Sequence, residues 1–183
     1  MKVVLASASP RRKEILENAG FEVSVRVSSA DETLPDGLSP DKAVEYLARL
    51  KAHSVEKGAN ELLIAADTVV VLDGKILGKP SDCAQAKKML SSLSGKSHKV
   101  FTGVCILYNE KEISFSDCTE VEFYELGEDE ILEYIATGEP MDKAGAYGIQ
   151  GKGCVFVKGI RGDYFNVMGL PIAMINQKLK VFL

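Results

Sequence analysis

Hydrophobic positions recur with two different periods along this chain, and the two periods predict its strands and helices. The run from Leu62 to Leu72 is almost entirely apolar, which is typical of a strand buried on both faces. Ser9-Pro10 and Ser39-Pro40 each place an N-cap residue before a proline at the first helical position, so each predicts a helix start. Asp73-Gly74, between two apolar segments, predicts a tight hairpin turn.

The same criteria predict the remaining elements, and together they indicate the fold class. The strands early in the chain alternate with helices, whereas those in the middle pair as hairpins, so we expect an α/β protein with a mixed sheet rather than a doubly wound parallel one. The predicted strands span residues 3–6, 21–27, 62–72, 75–77, 99–108, 112–124 and 155–157, and the predicted helices span 10–20, 40–58, 81–95, 128–137 and 171 onward.

Composition and charge exclude several classes of protein. The chain has 183 residues, of which 46% are hydrophobic and 26% are charged, which indicates one domain or two lobes that share a sheet. The net charge of −4 and the absence of a basic run argue against a nucleic-acid polymer or a membrane surface as partner. No apolar run approaches the roughly 20 residues that cross a bilayer, and the four cysteines lack C-x-x-C spacing. We therefore expect a soluble cytoplasmic protein with reduced thiols.

A candidate anion-binding segment lies where the first strand runs into the first helix. The sequence Ser7-Ala8-Ser9-Pro10-Arg11-Arg12 places two hydroxyls and two guanidiniums beside the free N–H groups of a helix start. These groups together suit a phosphate chain. The alternative is a plain helix cap whose arginines extend into solvent.

Two charged residues occupy positions where the pattern predicts burial. Lys51 lies within about 40° of the apolar stripe of the second helix, so it either extends out to water or meets an anion. Asp67 interrupts the apolar run of the predicted central strand, where a carboxylate is costly unless it is paired, hydrogen-bonded or metal-bound. A functional carboxylate is favoured over one that only caps a loop or pairs with a lysine. Lys79 and Glu32 are uninformative when each is taken alone.

Six short segments carry polar or glycine-rich motifs in order along essentially the whole chain. They are Ser7–Arg12, Leu47–Ala52, Ala66–Val70, Gly78–Pro80, Lys143–Gly151 and Gly169–Pro171. Together they resemble the Maf family of nucleoside triphosphate pyrophosphatases, which is historically linked to septum formation. The resemblance implies a single domain over residues 1–183 with an inosine-triphosphate-pyrophosphatase-like α/β fold, in which an elongated mixed sheet is flanked by helices and two lobes enclose a central cleft.

The resemblance also implies an activity and a set of site residues. Residues 144–151 look like the subgroup that hydrolyses dTTP and UTP to the monophosphate and pyrophosphate, and the 7-methyl-GTP subgroup departs in this stretch. A divalent cation, Mg²⁺ or Mn²⁺, is implied, with Glu32 and Asp67 as its candidate ligands, and the choice of direct ligand between them stays open. A homodimer is implied by the resemblance alone. The implied roles are proton acceptor for Asp67, substrate specificity for Arg11, Thr68 and Gln150, and phosphate binding for Ser7, Arg12, Lys51 and Lys79.

Two other functional classes remain as alternatives. A nucleotide-sensing regulator of cell division would keep the cationic residues but would not need Asp67. A regulatory protein–protein adaptor would need neither and would show an exposed apolar patch instead. Lys51 on a core-facing stripe, taken together with Asp67 in a buried strand, favours the enzyme.

Overall fold

The computed structural model describes residues 2–35 and 37–182, and the chain divides into two compact units. Unit 1 comprises the residues up to Thr68, Thr102–Asp117 and the residues from Gly169 onward. Unit 2 comprises Val69–Phe101 and Cys118–Met168. The two units correspond to the two predicted lobes. The predicted cleft stays a prediction, and so does the single domain over residues 1–183. The first and last residues of that range lie outside the described residues.

In the part of the chain that the structure describes, seven strands form one mixed sheet in the order β2-β1-β3-β5-β6-β7, with β4 paired to β3 outside this path. β1 is parallel to β2 and β3, whereas β4 is antiparallel to β3 and β7 to β6, so the predicted mixed sheet is confirmed. The strands are β1 (Lys2–Leu5), β2 (Glu22–Val25), β3 (Leu62–Leu72), β4 (Lys75–Leu77), β5 (Ser97–Tyr108), β6 (Lys111–Phe123) and β7 (Val157–Arg161).

Within the described residues, six α-helices flank these strands, with three short 3₁₀ segments between α4 and β7. The helices are α1 (Pro10–Asn18), α2 (Pro40–His53), α3 (Cys83–Leu93), α4 (Glu128–Ala136), α5 (Tyr164–Met168) and α6 (Ile172–Phe182), and the 3₁₀ segments are Glu139–Asp142, Ala144–Ala146 and Gly151–Phe156. Within the described residues, none of the helices combines the length and the apolar character that crossing a bilayer would require.

The core of unit 1 is built from small side chains, which lets α2 approach the sheet closely. Ala48 and Ala52 of α2 pack against Leu63 and Ala65 of β3 in one buried cluster. In β5, a Cβ added at Gly103 would overlap the backbone of α2 at Val44. This close approach places the last turn of α2, which carries Lys51, against the part of β3 that carries Asp67.

The core of unit 2 is aromatic. Phe123 and Tyr147 meet edge to face with their ring centroids 4.7 Å apart, and His98 meets both rings. The His98 Nε2 atom lies 2.7 Å from the Tyr147 hydroxyl, and burial lowers the pKa of His98 to about 4, so the imidazole is neutral at neutral pH. This cluster anchors the segment that leads to Gln150.

Most of the predicted elements are confirmed, and β3 has the predicted bounds. The prediction of a strand over residues 155–157 is wrong, because residues 151–156 form 3₁₀ turns and β7 begins only at Val157. Within these turns Phe156 is buried, whereas Val155 is 68% exposed. The second helix ends at His53 rather than near residue 58, because the hydroxyl of Ser54 donates to the carbonyl of Lys51 at 2.9 Å. The short helix α5 was not predicted.

Gly103→Ala should destabilise the protein, because the added methyl group would overlap the backbone of α2 at Val44 and neither α2 nor β5 can move away easily. Overpacking of this kind costs about 3 kcal/mol or more in the free energy of unfolding. The matched control is Gly159→Ala in β7, where an added Cβ has no neighbour within 4 Å, and it should change that free energy by less than about 1 kcal/mol. Urea denaturation measures both, and equal midpoints for the two variants would contradict the close approach of α2 to β5.

Candidate active site

The charged residues that the pattern placed inside the protein form an ion-paired cluster in unit 1. The ammonium of Lys51 lies 2.5 Å from Oδ1 of Asp67 and 3.2 Å from Oε2 of Glu32. The side chains of Lys51 and Asp67 are only 12% and 14% exposed, whereas that of Glu32 is 57% exposed. Lys51 therefore does not extend out to water. Its ammonium contacts two carboxylates, and the carboxylate of Glu32 is the one exposed to solvent.

Arg12 links three separate parts of unit 1. Its Nε donates to the carbonyl of Gly169 at 2.8 Å, and its two terminal nitrogens donate to the hydroxyls of Ser7 at 3.2 Å and Thr68 at 3.1 Å. The proline and the N-cap of Ser9 start α1 so that Arg12 falls in its first turn, turned towards these acceptors. The alternative in which both arginines extend into solvent is therefore wrong for Arg12. Each terminal nitrogen keeps one further N–H group.

The charges around Arg12 act on one another. Burial lowers the pKa of the Arg12 guanidinium. The negative charges of Asp67 and Glu32 raise that pKa, whereas the positive charge of Arg11 lowers it further. Three cations and two carboxylates thus share a small volume at the start of α1 and the end of α2. Such a concentration of charge in a partly buried setting is typical of a functional site.

Buried hydroxyls complete this part of the site. Thr68 follows Asp67 in β3, and its hydroxyl lies 2.9 Å from that of Thr102 in the neighbouring strand β5. Ser7 is buried and accepts from the backbone N–H of Ser9 at 3.2 Å as well as from Arg12. Sequence reasoning missed Thr102, although one signal was available, since it is a hydroxyl in the otherwise apolar stretch of β5.

The other two predicted site residues, Lys79 and Gln150, lie in unit 2. Lys79 is exposed in the loop between β4 and α3, where the carbonyl of Gly78 accepts from the N–H of Gly145 at 3.0 Å. The Gly78-Lys79-Pro80 loop is thereby tied to the glycine-rich segment 144–151. Gln150 is half-buried, and its amide forms no hydrogen bond with any residue that the structure describes, so its donor and acceptor are available to a ligand.

The donor set of unit 1 fits a hard divalent cation. Mg²⁺ prefers oxygen ligands and is commonly bound through one or two carboxylates together with substrate phosphates rather than in a cage made only of protein groups. Asp67 and Glu32 supply two carboxylates on one ammonium. Among residues 2–35 and 37–182 there is no cluster of three or more His, Cys, Asp or Glu side chains that could hold a metal ion.

Comparison with known proteins identifies the family. The sequence matches the family described as Maf-like protein over residues 2–182. The chain belongs to the Maf family. The motifs that carried the resemblance all lie within the matched residues.

Curated Maf relatives are similar over almost their full lengths. The dTTP/UTP pyrophosphatase of Bacillus cytotoxicus is 53% identical over 99% of this chain and 95% of its own. The dTTP/UTP pyrophosphatase of Bacillus cereus strain ZK is 51% identical with the same coverage. The family predicted from the sequence is thus confirmed.

Solved structures show which fold the Maf chain shares. The Ham1 protein of Staphylococcus aureus covers 99% of both chains with a TM-score of 0.59 and 14% identity. A HAM1 protein from Coxiella burnetii gives a TM-score of 0.51 at 16% identity with the same coverage. At this level of identity the likeness concerns the fold alone, and it confirms the predicted fold class.

Proposed function

We propose that this Maf protein is a hydrolase that cleaves dTTP and UTP between the α- and β-phosphates, releasing the nucleoside monophosphate and pyrophosphate. The observation that carries the proposal is the nearly buried Asp67, paired with Lys51 and close to Arg12 and Glu32. A carboxylate and several cations in one place are what phosphoryl transfer to water needs. The substrate pair follows the names of the two relatives described above, each of which is more than half identical to this chain.

In this mechanism a water molecule attacks the α-phosphorus, and the bond from that phosphorus to the bridging oxygen breaks as pyrophosphate leaves. Asp67 orients the water and accepts its proton, as a carboxylate held in hydrogen-bond reach of the nucleophile can do. Lys51, whose ammonium donates to Oδ1 of Asp67 at 2.5 Å, holds that carboxylate in place before the proton is transferred. Lys51 and Arg12 then supply positive charge near the phosphates.

Glu32 and Asp67 would hold the divalent cation, Mg²⁺ or Mn²⁺, which when bound neutralises negative charge that develops on the leaving pyrophosphate. Lys51 contacts both carboxylates, so it fixes their spacing from the protein side. Glu32 is the more exposed of the two and lies in the polar segment between β2 and α2, on the side from which a solvated ion arrives.

The remaining predicted residues divide between the phosphates and the base. Ser7 keeps its hydroxyl proton for a phosphate oxygen after accepting from Arg12 and Ser9, and Lys79 adds a further exposed cation. For the base, Gln150 offers one amide donor and one acceptor, which match the O4 and N3–H edge of uracil or thymine. The other assignments proposed for substrate specificity are Arg11 and Thr68.

A nucleotide-sensing regulator of septum formation that lacks essential catalysis is the less favoured function. Such a protein would bind phosphates through its cations and would gain nothing from a carboxylate set among them, which repels the ligand. Asp67 in contact with Lys51 is therefore the feature that separates the two functions. The predicted homodimer and cytoplasmic location stay predictions.

Incubation of the protein with dTTP, UTP, CTP, GTP and ATP in the presence of Mg²⁺ tests the proposed function. We expect pyrophosphate and the monophosphate from dTTP and UTP, and pyrophosphate and orthophosphate are measured separately. Release of orthophosphate together with a nucleoside diphosphate would exclude cleavage at the α-phosphorus. Binding of the nucleotides without any turnover would favour the sensing function instead.

Asp67→Asn should retain the fold and lower kcat for dTTP by roughly 10²–10⁴-fold, the usual contribution of a positioned base. The neutral amide keeps the size of the side chain but accepts no proton. Steady-state kinetics and circular dichroism are measured on the same preparation. Wild-type kcat in a folded variant would show that Asp67 is not the proton acceptor.

Lys51→Met should lower kcat/KM for dTTP by a factor that corresponds to about 1–3 kcal/mol, since a charged contact is lost. The matched control is Arg49→Met on the same helix, because Arg49 is 58% exposed and pairs with Glu112 on the surface. We expect the control to keep wild-type kinetics. Equal losses in the two variants would mean that Lys51 has no special role in substrate use.

A further inference from the structure

The segment that carries Gln150 is held from one side by a single carboxylate. Glu139, at the start of the first 3₁₀ segment, accepts from the backbone N–H groups of Lys152 at 3.0 Å and Gly153 at 3.3 Å. It also accepts from the hydroxyl of Tyr134 at 2.9 Å. Burial raises the pKa of Glu139, but these hydrogen bonds outweigh it and hold the pKa below its usual value. The carboxylate is therefore charged at neutral pH, and charge-assisted bonds of this kind are among the strong ones.

The same network reaches the residues that precede Gln150. The hydroxyl of Tyr134, which donates to Glu139, accepts from the N–H of Gly148 at 3.1 Å. Gly148 and Lys152 lie two residues on either side of Gln150 in the sequence. The backbone before Gln150 is thus bonded to Tyr134 of α4, and the backbone after Gln150 is bonded to Glu139 in the 3₁₀ segment that follows α4.

The backbone around Gln150 is shaped to receive that carboxylate. Gly151 has a φ of +71°, and a Cβ there would come within 2.7 Å of Oε2 of Glu139. A Cβ at Gly153 would come within 2.5 Å of the carbonyl oxygen of Gly148 and 2.8 Å of the Tyr134 hydroxyl. Glycines at both positions allow the chain to close tightly over Glu139, which leaves the Gln150 backbone little freedom.

We infer that Glu139 is a positioning residue for base recognition, which acts by fixing the backbone on both sides of Gln150. The inference rests on the proposed function, since it needs Gln150 to read the uracil or thymine edge. A base reader must be held within a fraction of an ångström of its productive geometry, and a support made of directional hydrogen bonds does this. Nothing in the proposed chemistry at Asp67 involves Glu139, so its loss should change base preference rather than the chemical step.

The test compares kcat/KM for dTTP and for ATP, with Mg²⁺ in excess, in wild type, Gln150→Leu, Glu139→Gln and the double variant. Gln150→Leu should lower the preference for dTTP by more than about tenfold, because a site built to hydrogen-bond its ligand penalises a missing group heavily. Glu139→Gln replaces one acceptor with a donor that faces the N–H of Lys152, and should lower the preference by about three- to tenfold, mainly through KM for dTTP. In the double variant we expect the preference of Gln150→Leu, within about twofold, because coupled residues are not additive.

The matched control is Glu130→Gln on α4, which also loses a glutamate that accepts from a backbone N–H, that of Gly127 at 2.7 Å. This variant should keep the wild-type preference for dTTP. If Glu139→Gln does not fold, Tyr134→Phe takes its place, since it removes only the hydroxyl that joins Glu139 to Gly148. A smaller fall in preference in the same direction is then expected.

The outcomes separate this inference from the proposed function. Failure of the wild type to release pyrophosphate from dTTP and UTP contradicts the proposed function itself. When the wild type is active, the inference is overturned by an unchanged preference in Glu139→Gln or Tyr134→Phe, or in Gln150→Leu. The inference is also overturned if the fall in dTTP preference in the double variant equals the product of the falls in Glu139→Gln and Gln150→Leu. Glu139 would then act independently of Gln150.

Discussion

The ion pair between Lys51 and Asp67 is the interaction around which unit 1 is arranged. Its two side chains are almost out of water, and removing two charges from water costs several kcal/mol unless further partners satisfy them. Those partners are present, since Glu32 contacts the same ammonium and Asp67 acts on the charge of Arg12. The pair also requires α2 to lie against the sheet, and Gly103 allows this contact by having no side chain. The close packing of α2 on the sheet is therefore also what brings the charges of Lys51 and Asp67 together.

The balance of charge in this cluster bears on what can bind there. Arg11, Arg12 and Lys51 contribute three positive charges, and Glu32 and Asp67 contribute two negative ones, so the cluster is only weakly positive. A nucleoside triphosphate carries several negative charges, and the two carboxylates repel it unless another cation intervenes. A divalent ion held by Glu32 and Asp67, as proposed above, would offset this repulsion, and oxygen ligands suit such an ion.

The parts of the structure that the sequence predicts well are those set by periodic patterns. An apolar run predicts β3, and the charged residue that interrupts it is Asp67. The helical period likewise predicts that Lys51 faces the core. Thr102 and Glu139 escaped prediction for a physical reason, because their partners are a hydroxyl on another strand and backbone N–H groups of a loop. Such contacts depend on tertiary placement and on φ values, as at Gly151, and not on any repeat. For the same reason, the apolar triplet at 155–157 wrongly predicted a strand where residues 151–156 form 3₁₀ turns.

Among the residues that the structure describes, the hydrogen bonds that hold the site residues of unit 1 have no residue in common with those that hold the Gln150 segment of unit 2. In unit 1, Arg12, Lys51 and Asp67 are fixed by ion pairs and hydroxyls; in unit 2, the Gln150 segment is fixed by Glu139 and Tyr134. Residues that lack shared partners respond to substitution independently. Substitutions in the segment 144–151 should therefore leave the ion pairs of the charge cluster in place. Under the proposed roles, substitutions at Gln150 would alter base preference alone, whereas substitutions at Arg11 or Thr68, which lie beside Arg12, would alter the charge cluster as well.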